Sequence, residues 1–251
     1  MIKSIVNKLA NAAGYHISKL QRPSEPTASV EKVTKPEAKR PDPKDYTTTT
    51  VPMEVPCQKE TYYFVLNNYV SPTSKVLDVG AGLGYGMAIL SVKAKEVHGI
   101  DIDKKSNAYA EQEYIGRNPK IKSIKYFDGY AVPYKDSSFD VVTCVDVIEH
   151  VEDYNRFIDE LLRVSRGVVI FSTPNRRVEF TNPDGTPRNY WHLREWSHKE
   201  LDEILSKHQA KVDWFLIDGP FEGPFKIRKK VSKYTLVLLP VLHKNRLGVR
   251  G

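Results

Sequence analysis

Two short runs, FDVVTCVDV at 139–147 and GVVIFST at 167–173, are apolar without alternation, the pattern of strands covered on both faces. Such strands need helices on either side of their sheet, and the chain offers them in turn. KETYYFVLNNYV (59–70) has aromatic and apolar residues spaced for one buried helical face. KVLDVG (75–80) then reads as a strand, YGMAILSVKA as a helix, EVHGIDI (96–102) as a strand, SNAYAEQEY as a helix and IKSIKYFD as a strand. DYNRFIDELLRVS places Phe157, Ile158, Leu161 and Leu162 on one inward stripe. Ser197 and Glu200 form a capping box opening a helix that runs to about Lys207. KVDWFLID (211–218) and YTLVLLPVL (234–242) are late strands. Strands alternating with helices predict an α/β fold: a doubly wound, mostly parallel sheet of seven strands with helices on both faces.

The ends differ from this middle. MIKSIVNKLANAAGYHISKL carries a helical apolar stripe flanked by Lys3, Lys8 and Lys19, which predicts an amphipathic helix over 1–21. Three readings of it stay open: an interfacial helix, which is favoured, a helix docked on the domain, or a mitochondrial-type presequence, against which its single arginine counts. Asn7 and Lys8, which interrupt the apolar stretch, argue against a secretory signal. Residues 22–50 hold five prolines and almost no large apolar residues, so a disordered linker is expected there. The folded domain is expected over 51–243 and a basic tail over 244–251.

The net charge of +7 is unevenly spread. Residues 1–46 carry nine Lys and Arg against five Asp and Glu; residues 226–251 carry eight against none; the stretch between them is −5. A mildly acidic middle argues against a nucleic-acid groove there. Basic ends suit an anionic membrane surface, reached through the N-terminal helix and the basic tail, or act as solvating tails. Cys57 and Cys144 form no CxxC and imply no disulfide framework, so a reducing compartment is the default. The longest apolar run, TLVLLPVL, is too short for a bilayer span and is broken by Pro240. A cytoplasmic protein, peripheral at the inner membrane face, is the expectation.

The function begins with VLDVGAGLGYG at 76–86, a glycine-rich turn between the first strand and the next helix. Glycines there let backbone press against a ligand while helix N–H groups point at it. A G-x-G-x-x-G fingerprint fails in both registers, because the sixth position is Tyr85 or Met87. The pattern is instead Asp78-x-Gly80-x-Gly82-x-Gly84. Asp101 ends the next strand 21 positions after Gly80, the spacing at which a carboxylate reaches ribose hydroxyls. Asp128 ends the third strand. Three such signals on three successive strands point to a nucleoside-type cofactor.

Together with YFDGYAVPYKDSSFDVVTCVDVIEHV and GVVIFSTPN, these segments resemble the class I S-adenosylmethionine-dependent methyltransferases over residues 57–217. The resemblance implies a Rossmann-like sheet and S-adenosylmethionine as cofactor. It further implies that Asp78, Gly80, Ala81, Gly82 and Gly84 cradle the methionine part, and that Asp101 and Ile102 take the ribose. Asp128 and Gly129 flank adenine, and Cys144 to Asp146 form the far wall.

Methyl transfer from a sulfonium is an in-line displacement, so the protein must align a nucleophile and remove its proton. Two clusters qualify. Asp146-Val-Ile-Glu149-His150 follows the fourth strand, and positions 146, 149 and 150 share a face if the segment is helical. NYWHLREW (189–196) brings His192, Arg194 and Glu195. His150, His192 and Glu149 are the candidate catalytic groups. Asp146, Glu149, His150 and His192 are a candidate site for a divalent cation, Mg²⁺ or Mn²⁺. Alternatively, Asp146 and Glu149 satisfy a helix N-terminus and His150 orients the loop. The segment resembles the acidic-x-x-Glu-His stretch of ubiquinone-pathway O-methyltransferases and of RNA 3′-end 2′-O-methyltransferases, with aspartate where glutamate is usual. STPNRRVEFTNPDGTPRNYWHLREW reads as a functional loop in which Tyr190, Trp191 and Trp196 suit a sugar or aromatic acceptor. It resembles bacterial methyltransferases of cell-surface polysaccharide and lipid-linked sugar pathways. The favoured function is O-methylation of a sugar, nucleotide-sugar or lipid-linked glycan. The alternatives are a quinone or other small aromatic acceptor, RNA, and a cofactor-binding module without catalysis.

Overall fold

The protein is described here from a computed structural model, which covers residues 55–220 and 223–244. The expectations for the N-terminal helix, the proline-rich linker and the residues after Lys244 lie outside the described residues.

Helix α1 (Pro56–Asn68) precedes strand β1 (Lys75–Val79), and the two bury Val65, Val76 and Leu77 completely. The glycine turn leads into α2 (Tyr85–Ser91), followed by β2 (Glu96–Asp101), α3 (Lys104–Tyr114) and β3 (Ile121–Tyr126). Then come β4 (Phe139–Val145), α4 (Tyr154–Val164), β5 (Ser165–Pro174), α5 (His198–Leu205), β6 (Ala210–Asp218), β7 (Lys226–Arg228) and β8 (Thr235–Lys244). The expected capping box is present: Glu200 N–H donates to Ser197 Oγ, and Ser197 N–H donates to Glu200 Oε2. On α4 the four inward residues expected from the sequence are all buried.

The strands form one sheet in the order β3-β2-β1-β4-β5-β8-β6-β7. Pairing is parallel from β3 to β5, and β8 is antiparallel to both β5 and β6. The order reverses between β1 and β4, the switch point beside which open α/β sheets place ligands. Two apolar layers cover the sheet. One holds Leu77, Phe139, Phe157 and Leu161; the other holds Val65, Val76, Met87 and Ile170.

One expectation is corrected: among the described residues the sheet has eight strands, not seven, because β7 adds a three-residue edge strand exposed along its whole length. An edge that short and that solvated buries nothing, so no apolar pattern announces it. The basic residues that precede the tail expected over 244–251 belong to the folded domain: Lys226, Arg228, Lys229, Lys230 and Lys233 lie in an arm between β6 and β8, and Lys244 ends β8.

Candidate functional site

The glycine turn folds as its spacing predicts. Gly80 (φ +73°) and Gly82 (φ +51°) adopt the left-handed conformation that side chains disfavour. The two are glycine for different further reasons. A Cβ on Gly80 would lie 2.3 Å from Val147 Cγ2, so this turn packs flush against the segment after β4. A Cβ on Gly82 would meet nothing within 4 Å, so its backbone borders open space. Asp101 closes the turn from below. Its Oδ2 accepts from Gly82 N–H at 2.7 Å and its Oδ1 from Asp103 N–H at 2.7 Å. Gly80 and Ala81 N–H both donate to Ile100 O. Backbone left-handed and bordering a void, with a carboxylate at its rim, fits an adenosyl ligand carrying ribose hydroxyls and a cationic amine.

Asp78 lies wholly buried under this turn and accepts from Tyr62 Oη at 3.1 Å and Thr143 Oγ1 at 2.7 Å. Burial pushes its carboxyl up to about 7, against the lowering effect of those two donors. Asp128 is exposed and caps its own turn, accepting from Tyr130 and Ala131 N–H; these bonds hold its carboxyl below the usual range. Gly129 takes φ +88° in that turn. Phe127 N–H donates to Asp101 O, so the Asp128 turn abuts the end of β2 as expected. Cys144 and Val145 are buried core residues, and Asp146 is the half-buried member of the expected far wall.

Asp146 corrects another expectation. The segment is not a continuous helix: Asp146 has φ +53°, and only Ile148–His150 form a 3₁₀ turn. The reversal at Asp146 turns its carboxylate toward β5 and α1. There it accepts from Ser172 Oγ at 2.5 Å and from Gln58 Nε2 at 3.1 Å, and Tyr85 Oη donates to Gln58 Oε1. Asp146 therefore falls outside the cluster of Glu149, His150 and His192 it was expected to join, while lying near enough to raise the Glu149 carboxyl.

Those other groups do converge. Glu149, His150 and His192 place one ligand atom each within 4.8 Å of one another. The loop carrying His192 is sewn onto the 3₁₀ turn, because Leu193 N–H donates to Glu149 O at 2.9 Å and His150 Nδ1 lies 2.9 Å from Trp191 O. The two rings meet edge to face with centroids 5.0 Å apart. The hydrogen bonds assign their tautomers. Trp191 O can only accept, so His150 Nδ1 carries the proton and Nε2 the lone pair. Glu195 Oε1, 2.6 Å from His192 Nδ1, likewise places that proton on Nδ1. Asn189 Oδ1 accepts from Trp191 N–H, which turns the Asn189 amide nitrogen toward His192 Nε2, 2.8 Å away, and confirms a lone pair there.

Burial sets the charges. The Glu149 carboxyl is pushed well above its ordinary range, chiefly by desolvation and then by Asp146. Its Oε2 accepts from Thr173 Oγ1 at 3.0 Å, and its buried Oε1 has no hydrogen-bond partner among the described residues. Desolvation, with His192 beside it, pushes His150 down to about 4, so it is neutral at neutral pH. Glu149, His150 and His192 are a donor set that fits a divalent cation, and equally a proton acceptor site, once the Asn189 amide gives up His192 Nε2. Glu149 lies in the first turn of the 3₁₀ segment, whereas the Asp146 carboxylate is held by Ser172 and Gln58.

The sequence reading missed Gln58, Tyr62, Thr143, Ser172 and Thr173. All are polar residues within apolar runs or on the buried face of α1, and a polar residue breaking such a run is the only sequence signal they give. Asn189 was visible as the start of the Asn-x-x-His-x-x-Glu spacing.

Known proteins resemble this chain in sequence and in fold. Residues 77–171 match a family described as a methyltransferase domain. A probable S-adenosylmethionine-dependent methyltransferase from Mycolicibacterium smegmatis is 37% identical over 150 residues, 59% of this chain and 55% of the relative. A ubiquinone biosynthesis O-methyltransferase from Rickettsia conorii is 29% identical over 182 residues, 70% of this chain and 58% of the relative. The chain thus spans little more than half the length of these relatives. Among solved structures, the YcgJ protein from Bacillus subtilis superposes with a TM-score of 0.59 at 19% identity, covering 74% of this chain and 98% of that one, which is a likeness of fold.

Proposed function

The chain carries a class I S-adenosylmethionine-dependent methyltransferase domain, and on that premise we propose that it methylates a hydroxyl oxygen of a sugar-type acceptor. The observation that carries this reading is the buried Glu149–His150–His192 group, set against the glycine turn through Val147. A hydroxyl is a poor nucleophile until its proton is taken, and a site for oxygen acceptors needs a base beside the cofactor. S-adenosylmethionine, when bound, supplies an electrophilic methyl group on a positive sulfur.

His192 is the better base of the two imidazoles. Glu195 holds its Nδ1–H and stabilises the cation formed when Nε2 exchanges its Asn189 hydrogen bond for the acceptor's proton, whereas His150 sits where a positive charge is disfavoured. As the acceptor oxygen bonds to the methyl carbon, the carbon–sulfur bond breaks and the hydroxyl proton passes to His192. The residues of the turn align the methyl, and Asp101 and Asp78 favour a ligand with positive charge. Tyr190, 52% exposed and edge-on to Trp191, offers a ring face for the C–H side of a sugar.

A second reading of the same group rests on the orphaned Glu149 oxygen. Glu149, His150 and His192 would hold a divalent cation, with Mn²⁺ better suited than Mg²⁺ to one carboxylate and two imidazoles. Such an ion would lower the pKa of a hydroxyl beside it.

Incubation with methyl-labelled S-adenosylmethionine and separate extracts of lipid-linked glycans, quinone precursors and RNA tests the acceptor. Label in glycan supports the reading, label in quinone or RNA replaces it, and cofactor binding without transfer to any removes it. Calorimetry with Mn²⁺, Mg²⁺ and Zn²⁺ on the native chain and His150→Ala tests the cation; absence of binding heat in the native chain eliminates it.

A further inference from the structure

The arm between β6 and β8 has a composition that its place at the sheet edge does not account for. Residues 223–234 contain Lys226, Arg228, Lys229, Lys230 and Lys233 and no acidic residue. Arg228 is paired with Asp218 at 3.0 Å. Lys229 lies over the Phe215 ring and Lys233 over that of Tyr234, and none of the four lysines has an ion-pair partner among the described residues. Lysines alone would be an ordinary guard against pairing at an edge strand. The same arm, however, exposes Ile227 (36%), Val231 (50%) and Tyr234 (59%). Exposed apolar groups defeat such a guard, so edge protection explains half of the arm.

Its position explains the other half. Lys226 pairs with Asp218 at the carboxyl end of β6, and Thr235 pairs with Asp218 from the other side, so the arm wraps that end of the strand. β8 starts there beside the end of β5, with Pro174 opposite Val237. Asn175, the first residue of the long loop, donates from N–H to Leu236 O and from Nδ2 to Thr235 O. Three strand spacings, about 14 Å, separate β5 from β7. The arm thus lies on the same end of the sheet as the cofactor turn and the Glu149 group. The long loop exposes Val178 and Tyr190 at this end as well.

We propose that the 226–234 arm docks on an anionic membrane surface, with its lysines at the headgroups and Ile227, Val231 and Tyr234 in the interfacial layer, so that the acceptor mouth faces the bilayer. Aliphatic side chains find no partner on a phosphate backbone, whereas basic residues interleaved with apolar ones match a charged interface, which favours lipid over RNA. This docking rests on the reading of that end of the sheet as the acceptor mouth. It makes a lipid-borne acceptor the class that the enzyme meets.

The test is sedimentation of the full chain with vesicles of phosphatidylcholine alone or mixed with phosphatidylglycerol. Cofactor binding by calorimetry serves as the control for folding. The expected result is binding to the mixed vesicles alone, weakening as salt is raised. Replacing Lys229, Lys230 and Lys233 together by alanine should weaken binding about 100-fold. Val231→Ser with Tyr234→Ser should weaken it about tenfold and leave the salt dependence intact. Both variants should keep the native cofactor affinity. Unchanged binding by the lysine variant would place the membrane contact elsewhere in the chain and overturn the proposal. So would equal binding to neutral vesicles, or a single-stranded RNA of mixed sequence binding more tightly than vesicles and losing its affinity in the same variant. No turnover enters the measurement, so a failed methyl-transfer assay leaves its outcome standing and a failed sedimentation leaves the methyl-transfer reading standing.

Discussion

The glycine turn and the 146–150 turn touch at Val147, yet they are built by opposite means. The glycine turn is backbone chemistry: left-handed residues, N–H groups closing onto Ile100 O and the Asp101 carboxylate, and a void beside Gly82. Its parts come from β1 and β2, which are adjacent in sequence and paired in register. The second turn is side-chain chemistry drawn from afar. Glu149 meets Thr173, His150 meets Trp191, and His192 is oriented by Glu195 and Asn189. A binding site for one unvarying ligand can be fixed by local geometry; a site that selects among acceptors is assembled from exchangeable side chains on a loop.

The comparison predicts separable losses. The largest effect is on the acceptor side: His192→Ala should lower turnover by about 100- to 10,000-fold while leaving cofactor affinity, measured calorimetrically, unchanged. A parallel loss of affinity would show that the two turns act as one unit. Next in size is Gly80→Ala, which forces a Cβ onto Val147 in a left-handed conformation. It should cost about 2 kcal/mol in urea unfolding and weaken cofactor binding about 100-fold. Full affinity in that variant would remove the turn from the cofactor site.

The smallest effect is a pH dependence. With its carboxyl raised to about 7, Asp78 in the free protein keeps a proton that the unfolded chain surrenders near its ordinary value, so stability falls as pH rises toward 7 and is level above it. A cationic cofactor favours the ionised form. Affinity should therefore improve about tenfold from pH 6 to pH 8, with proton release on binding near pH 6 that calorimetry in two buffers detects. Asp78→Asn should flatten the profile; an unaltered slope would assign the titration to another group.

The same contrast explains how much was readable from the residues. The unalternating runs of β4 and β5, the Ser197–Glu200 box and the Asp78-to-Gly84 spacing each encode structure within a few positions, and each folds as expected. Asp101 was found because strand-end spacing is itself local information. Asp146 was misplaced because a helical face was assumed for residues whose backbone reverses at φ +53°, a conformation that aspartate tolerates but does not announce. Ser172 and Gln58, which claim its carboxylate, lie 26 and 88 positions away. Glu149, His150 and His192 were each singled out, but the tautomers that make them useful depend on Trp191 O and Asn189. β7 was invisible because it is three exposed residues long.

Asn175 pairs with Trp196, and Arg176 N–H donates to Trp196 O, so the long loop departs and returns through one clasp at its base, apart from the stitches of Trp191 and Leu193 to the 3₁₀ turn. A strap fastened at its base can change length at little entropic expense, since closure cost grows only logarithmically with the number of residues enclosed. The sheet, the glycine turn and α5 need not adjust when it does. Relatives could thus acquire new substrates by grafting different straps onto the same buckle, leaving the rest of the fold untouched.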